Sequence, residues 1–231
     1  MAFRSASTPA TGNGTAVSIA KPSGVAAGDI VVLFVTSDVS GKTCSTPTDF
    51  TAYSTNGQAS PDGHSNFAFW KRFTGSEGAN ITCTLSNGDD WIAHCAAFSG
   101  RHASNAPVAT LTTPNTSSNA SPVSVALTGV TAVAGDDIVW WASLDKTSSG
   151  VSWAFTSPSN YSEASDTNLN WCAASLAYRD NVGAGATGTL TGTATGAGGS
   201  AGFAGYVVRI PAEAGGGGTS ILRQMMNYHG G

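Results

Sequence analysis

The stretch Gly28-Asp29-Ile30-Val31-Val32-Leu33-Phe34-Val35 decides the fold of this chain. Gly-Asp marks a turn, and the six apolar residues after it, mostly β-branched, are typical of a strand that is buried on both faces. The same order returns as Gly135-Asp136-Asp137-Ile138-Val139-Trp140-Trp141. We therefore expect two matching central strands. The residues predicted to be buried in them are Ile30, Val32, Phe34, Ile138 and Trp140.

Four further segments recur in the same order at nearly constant spacing. The matched segments are 46–50 with 157–161, 69–72 with 177–180, 81–85 with 187–195, and 92–98 with 203–210. No stretch has convincing helical periodicity, and the polar segment 86–90 reads as a turn between two strands. The pattern predicts an all-β, two-sheet antiparallel sandwich built from two diverged copies, at about 15–100 (copy one) and 122–211 (copy two).

Two arrangements satisfy such a repeat. Each copy can form an independent sandwich, or both copies can supply strands to both sheets of one jelly-roll-like core. We favour the second arrangement, because one shared core buries more apolar area than two thin ones. The predicted organisation is an N-terminal arm at 1–14, the sandwich at 15–211, a Gly-rich linker at 212–218 and a C-terminal anchoring peptide at 219–231.

The composition argues against nucleic acid and membrane as partners. Charged residues make up 10% of the chain, the net charge is −4, and there are only ten Lys and Arg, so no basic surface is expected. The first twenty residues lack the apolar core of a signal peptide. We therefore expect a protein made in a cytoplasm, where its cysteines are free thiols. These cysteines are Cys44, Cys83, Cys95 and Cys172.

Two strings match catalytic or nucleotide-binding patterns, and neither has the context that the chemistry needs. Residues 198–202 match the nucleophile elbow, which requires a helix after the turn, and residues 183–188 match GxGxxG without a helix to receive a phosphate. His94 and Cys95 are neighbours, but adjacent strand residues point to opposite faces and cannot easily share one metal ion. We expect no catalytic residues, no metal and no cofactor.

Tryptophan is the residue that suggests ligand binding. Trp140 and Trp141 are adjacent, so one indole is expected in the core and the other on the surface, where it would stack on a sugar ring. The candidate glycan-stacking residues are Trp91, Trp140, Trp141 and Trp153. They support carbohydrate binding as an alternative function.

The C-terminal segment has a composition of its own. Four glycines, at 215–218, precede a short apolar peptide that is too short to be a stable helix in water. We expect this peptide to dock on a neighbouring subunit or on another copy of this chain, with folding back onto its own sandwich as the alternative. The candidate partner-binding residues are Ile221, Leu222, Met225, Met226 and Tyr228.

One string carries a family resemblance. Residues 21–33, Lys-Pro-Ser-Gly-Val-Ala-Ala-Gly-Asp-Ile-Val-Val-Leu, resemble the "KPsGvaaGDlLl" opening of a group of phage and prophage structural proteins. The resemblance continues through Thr46-Pro47, residues 69–72, residues 97–100 and Gly135-Asp136-Asp137-Ile138. It implies a β-sandwich of a virion or surface, and it assigns no functional residue.

The resemblance and the composition together predict a non-enzymatic structural protein on the exterior of a bacteriophage virion. Its expected place is a capsid decoration or a component of the tail or its fibres, assembled in the host cytoplasm beside other virion proteins. The alternative is a carbohydrate-binding module used in host attachment, with a cell-surface glycan as its ligand. A hydrolase would need a clustered acid and base, which the sequence does not offer.

Overall fold

Every regular element that the computed structural model describes is a β-strand. The description covers residues 3–59, 63–100, 103–112, 121–146, 152–196 and 202–213. Its strands are β1 Phe3–Ala6, β2 Ala10–Ala20, β3 Ile30–Ser37, β4 Thr51–Ala59, β5 Ser65–Arg72, β6 Asn80–Phe98, β7 Val108–Thr112, β8 Val123–Thr128, β9 Thr131–Ala132, β10 Asp137–Asp145, β11 Trp153–Thr156, β12 Ser162–Leu169, β13 Cys172–Arg179, β14 Gly185–Ala186, β15 Thr189–Gly196 and β16 Phe203–Ile210. The all-β antiparallel prediction is confirmed.

The sheets repeat the strand pattern in each copy. In copy one the order is β1-β6-β3-β5-β4, with β2 also paired to β6. In copy two the corresponding sheet has the order β12-β13-β10-β16-β7, and it faces a three-stranded sheet of order β11-β15-β8. The central strand β3 lies between β5 and β6, as β10 lies between β13 and β16. Both copies therefore place the predicted central strand in the middle of a sheet.

Three hydrophobic cores hold these sheets together. The copy-one core includes Leu33 and Phe69, and the copy-two core includes Ile138 and Trp140. A third cluster, which we call the joining core, contains apolar residues of both copies, among them Phe34 and Trp141. The structure thus combines the two expected arrangements: each copy has a core of its own, and the copies pack back to back. The preference for one shared core is corrected accordingly.

The joining core explains why the central strands are apolar without alternation. Strands that face a core on both sides need apolar residues at successive positions. All eight residues of β3 are buried, as are the first eight of the nine in β10. The residues predicted to be buried, Ile30, Val32, Phe34, Ile138 and Trp140, are each 0% exposed, which confirms that prediction.

The turn predicted at residues 86–90 is wrong. β6 is one strand from Asn80 to Phe98, and β2 pairs with both of its halves, with a shift in register opposite residues 85–88. The first half alternates between buried and exposed residues because its outer face meets solvent, whereas the second half is buried throughout. The burial pattern changes where β6 leaves an outer layer and enters a central sheet. The polar residues at this change of layer resemble a turn in the sequence.

The N-terminal residues belong to the sheet. β1 and the first part of β2 both pair with β6, so the predicted boundary between arm and sandwich falls inside β2. The Phe3 ring also stacks on Tyr178 of copy two, with centroids 3.8 Å apart, and the Phe3 N–H donates to Asp180 Oδ1 at 2.8 Å. This segment therefore connects the two copies.

One turn is built identically before both central strands. Asp29 Oδ2 accepts a hydrogen bond from Ala26 N at 2.8 Å, and Asp136 Oδ2 accepts one from Val133 N at 2.7 Å. An arginine completes each turn as an ion pair: Arg4 with Asp29 at 2.6 Å and Arg209 with Asp136 at 2.7 Å. Asp29 and Asp136 are thus equivalent positions, which sets the residue-by-residue match between the copies.

Replacing Ile138 with alanine should lower the free energy of unfolding by about 2–5 kcal/mol, because it leaves a cavity in the copy-two core. Guanidinium denaturation followed by fluorescence measures the change. Val108→Ala is the control, since Val108 is 51% exposed and its truncation should matter little. Equal losses in the two variants would contradict a buried position for Ile138.

Candidate functional site

The four indoles expected to present a sugar-stacking surface are buried. Trp91, Trp140, Trp141 and Trp153 are exposed by 6, 0, 0 and 2% respectively. Trp140 and Trp141 do point to opposite faces of β10, but one face meets the copy-two core and the other meets the joining core. The prediction of a glycan-stacking site at these residues is wrong, because stacking on a sugar needs an exposed ring.

The exposed indole is Trp171, which the sequence reasoning missed. It is 41% exposed and lies in the two-residue turn between β12 and β13, where Leu169 pairs with Cys172. The signal that could have found it is Asn170 directly before it, because asparagine favours turns and turns lie at the surface.

The predicted partner-binding residues cannot be placed. Ile221, Leu222, Met225, Met226 and Tyr228 lie outside the described residues, which end at Glu213. Their docking role stays a prediction.

A serine and a histidine meet inside the protein. His64 Nε2 lies 2.9 Å from Ser143 Oγ, and this hydroxyl donates to Asn66 Oδ1 at 2.6 Å. All three residues are 0% exposed. Burial lowers the pKa of His64 to about 3, so the ring is neutral near pH 7. The pair is closed to solvent, and its hydrogen bonds join a residue of copy two to residues of copy one.

His94 and Cys95 point to opposite faces of β6, as predicted. Cys95 belongs to the copy-one core, whereas His94 Nδ1 lies 3.2 Å from Ser165 Oγ of copy two. Burial lowers the pKa of His94 to about 3 and raises that of the Cys95 thiol to about 12, although a hydrogen bond from Ser7 lowers the latter. The two side chains therefore do not form a shared metal site.

Acidic residues gather at one edge of the joined sheets. Asp38, Asp89 and Asp90 lie near Lys42, whose Nζ is 3.4 Å from Asp89 Oδ2. Burial, followed by repulsion from Asp89 and Asp90, raises the pKa of Asp38 to about 6, and Lys42 partly opposes this rise. The Asp38 carboxyl thus changes charge near neutral pH.

Copy one has a small surface cavity of about 180 Å³, which we call the copy-one pocket. Lys71 lies in it, with its Nζ 3.3 Å from Asp49 Oδ2 and 3.2 Å from Glu77 Oε1. Burial by itself raises the pKa of Glu77, but hydrogen bonds from Thr74, from its own backbone and from Lys71 lower it to about 2. The cation in this pocket is therefore neutralised by carboxylates of its own chain.

Copy two has a cavity of about 210 Å³ at the equivalent place, which we call the copy-two pocket. Tyr161, Arg179 and a Gly-rich segment at 183–187 line it. Burial raises the pKa of Tyr161 to about 12, although the nearby Arg179 lowers it. The phenol is therefore protonated at neutral pH, and an exposed guanidinium lies beside it.

The four cysteines are free and buried. A hydrogen bond to the Cys83 thiol, followed by burial, raises the pKa of Cys44, and burial likewise raises that of Cys172. Protonated, buried thiols are poor nucleophiles and poor metal ligands. They act as small apolar residues of the cores.

The described ranges hold no group of three or more His, Cys, Asp or Glu residues placed to bind a metal ion. They also contain no helix that is long and apolar enough to cross a membrane. No family model, curated protein or solved structure is similar enough to this chain to match it.

Proposed function

We propose that this chain is a non-enzymatic structural protein on the exterior of a bacteriophage particle, where it decorates the capsid or forms part of the tail or its fibres. The observation that supports this most is the role of the residues that resemble phage structural proteins. The Gly28-Asp29 motif and its counterpart Gly135-Asp136 form the turn that precedes each central strand. The resemblance therefore concerns architecture, which is what a structural protein requires.

The packing supports the same proposal. The joining core packs the two copies against each other over both central sheets, as expected of a structural module. The Ser143 and His64 pair is sealed inside this contact. The outer face of β15 presents the exposed residues Thr189, Thr191 and Thr195 to solvent. A polar outer strand face on a chain with only 10% charged residues suits a module on the outside of a particle.

Attachment is assigned to the C-terminal peptide. Fully covering an apolar side chain such as Ile221 or Leu222 contributes roughly 1.5–3 kcal/mol before ordering costs are subtracted. One such peptide binds weakly, and many copies in a symmetric particle bind together with higher avidity. The partner is another virion protein or a second copy of this chain.

Deleting residues 215–231 tests the attachment. We expect the truncated protein to keep its melting temperature almost unchanged, because the cores lie within residues 3–213. It should be missing from purified phage particles analysed by mass spectrometry and immunogold microscopy. The matched control replaces the glycines at 215–218 with serines and keeps the apolar peptide.

The two parts of the proposal fail separately. Normal incorporation of the truncated protein would end the anchoring role while leaving the virion assignment intact. Absence of the full-length protein from particles made by the strain that encodes it would overturn the virion assignment itself.

A further inference from the structure

The two pockets share one backbone frame. Phe50 N donates to Pro47 O and Tyr161 N donates to Pro158 O, each at 3.0 Å. The residue before each aromatic has a positive φ, 61° at Asp49 and 66° in copy two. The aromatic residue of copy one is therefore matched by Tyr161, and Asp49 is matched by Asn160.

Each copy also has a basic residue at the same position of its sheet. Lys71 pairs with Val31, the second residue after Asp29, and Arg179 pairs with Ile138, the second residue after Asp136. Because Asp29 and Asp136 are equivalent, Lys71 and Arg179 occupy the same position in their sheets. Each copy thus directs one basic side chain into its pocket.

The carboxylates that neutralise the basic residue of copy one have no counterparts in copy two. Lys71 is paired with Asp49 and Glu77, whose counterparts in copy two are Asn160 and Ala186. The match to Ala186 follows from equal segment lengths. The carbonyls of Phe73 and Val182 accept from Gly28 N and Gly135 N respectively, and the same number of residues then leads to Asn80 at the start of β6 and to Thr189 at the start of β15. Arg179 forms no ion pair with any residue in the described ranges, and it is exposed.

We propose that the copy-two pocket binds a carboxylate-bearing sugar residue, such as a uronic acid, through Arg179. The guanidinium fork matches a carboxylate with two parallel hydrogen bonds, replacing the charge that Asp49 and Glu77 supply in copy one. The Tyr161 ring offers a face for the sugar ring and a hydroxyl for its polar groups. This inference concerns the isolated protein and does not depend on its place in a virion.

The size and lining of the pocket favour one sugar ring as the ligand. A cavity of about 210 Å³ is below the usual range of roughly 300–1,000 Å³ for drug-sized ligands, which suits a single small ring. Gly183 and Gly185 have no side chains, so a ring can approach the backbone closely, while Val182 and Leu190 supply apolar wall. A flat aromatic and a planar cation around a shallow pocket are typical of sugar recognition.

NMR titration of the full chain, labelled with ¹⁵N, tests the proposal with galacturonate as the probe. We expect saturable shifts at Gly183, Gly185 and the Arg179 side chain, and none at Gly78 of the copy-one pocket, which serves as the internal control. Galactose, the matched neutral sugar, should bind at least about tenfold more weakly, since a charge-assisted pair is lost. N-acetylglutamate tests whether a carboxylate from a peptide binds as well.

Two variants locate the interaction. Arg179→Gln should weaken galacturonate binding at least about tenfold. The double variant Asn160→Asp, Ala186→Glu keeps Arg179 but supplies the carboxylates of copy one, and it should weaken binding to a similar extent. A dispersed spectrum for each variant shows that the fold is retained.

Several results would overturn the proposal. If galactose bound as tightly as galacturonate, the pocket would not recognise the carboxylate. If N-acetylglutamate bound as tightly, the pocket would not recognise the sugar ring. Unchanged affinity in both variants would place the ligand elsewhere. The absence of saturable shifts at tens of millimolar galacturonate would show that the copy-two pocket is not an acidic-sugar site.

Discussion

Trp141→Ala should lower the free energy of unfolding by about 3–5 kcal/mol, a loss typical of truncating a large core aromatic. The Trp141 side chain is 0% exposed, its ring stacks on Phe34 with centroids 5.2 Å apart, and Tyr206 lies 6.1 Å away. Because Phe34 belongs to copy one and Trp141 to copy two, the variant removes an aromatic contact that joins the two copies. Guanidinium denaturation monitored by circular dichroism measures the loss.

Trp171→Ala is the matched control for that experiment. It removes the same indole from an exposed turn, where substitutions usually change stability by less than about 0.5 kcal/mol. If Trp141→Ala were no more destabilising than Trp171→Ala, the two copies would not be held together by the joining core.

Acidification from pH 7.5 to pH 5 should lower the free energy of unfolding by about 4 kcal/mol through His64 and His94. Burial lowers the pKa of each to about 3, whereas an unfolded histidine titrates near 6.5. The unfolded state therefore binds more protons below pH 6.5. The stabilisation that the neutral rings confer is complete above this value and is lost as the pH falls towards 3. At pH 5 each histidine accounts for about 2 kcal/mol of the loss in the free energy of unfolding.

Asp38 acts in the opposite direction. Its pKa is raised from 3.8 to about 6 in the folded state, so its ionisation destabilises the fold as the pH rises, and protonation restores that stability below pH 6. Its effect is smaller, because Asp38 is only partly buried and solvent screens its charge. The net change between pH 7.5 and pH 5 remains a loss.

Urea denaturation at the two pH values measures the change, and the double variant His64→Gln, His94→Gln is the control. We expect the double variant to be less stable at pH 7.5 but to lose much less on acidification. A pH dependence as steep as that of the original chain would show that other groups cause the acid sensitivity.

Much of the fold was predictable because its determinants are local. The apolar run at Ile30–Val35 and its counterpart after Asp136 identify buried strands by residue type alone, and the alternation at 81–85 identifies a strand with one wet face. The repeat of these patterns predicted two copies. The error at residues 86–90 arose because polar residues at a change of layer look the same as polar residues at a turn.

The candidate site was mostly not predictable, since it depends on residues that are distant in the sequence. Adjacent residues on a strand point to opposite faces, but the sequence does not say what each face meets. Trp141 is buried because copy one covers it. The local sequence around a covered indole looks the same as the sequence around an exposed indole that could stack on a sugar. Lys71 and Arg179 are both basic residues at equivalent strand positions. What separates them is that Lys71 is paired with carboxylates from distant segments of the chain, and the local sequence does not show this.

The sequence by itself determined the strand class, the two-copy repeat and the residues at the centre of each sheet, because side-chain period and β-branching act over a few neighbouring residues. Only the tertiary structure decided that the copies pack back to back over a third core. It alone showed that the indoles are covered, and that the cation of one pocket is neutralised while that of the other is not. These outcomes depend on which surfaces meet after the strands form, and packing between distant segments leaves no periodic trace in the chain.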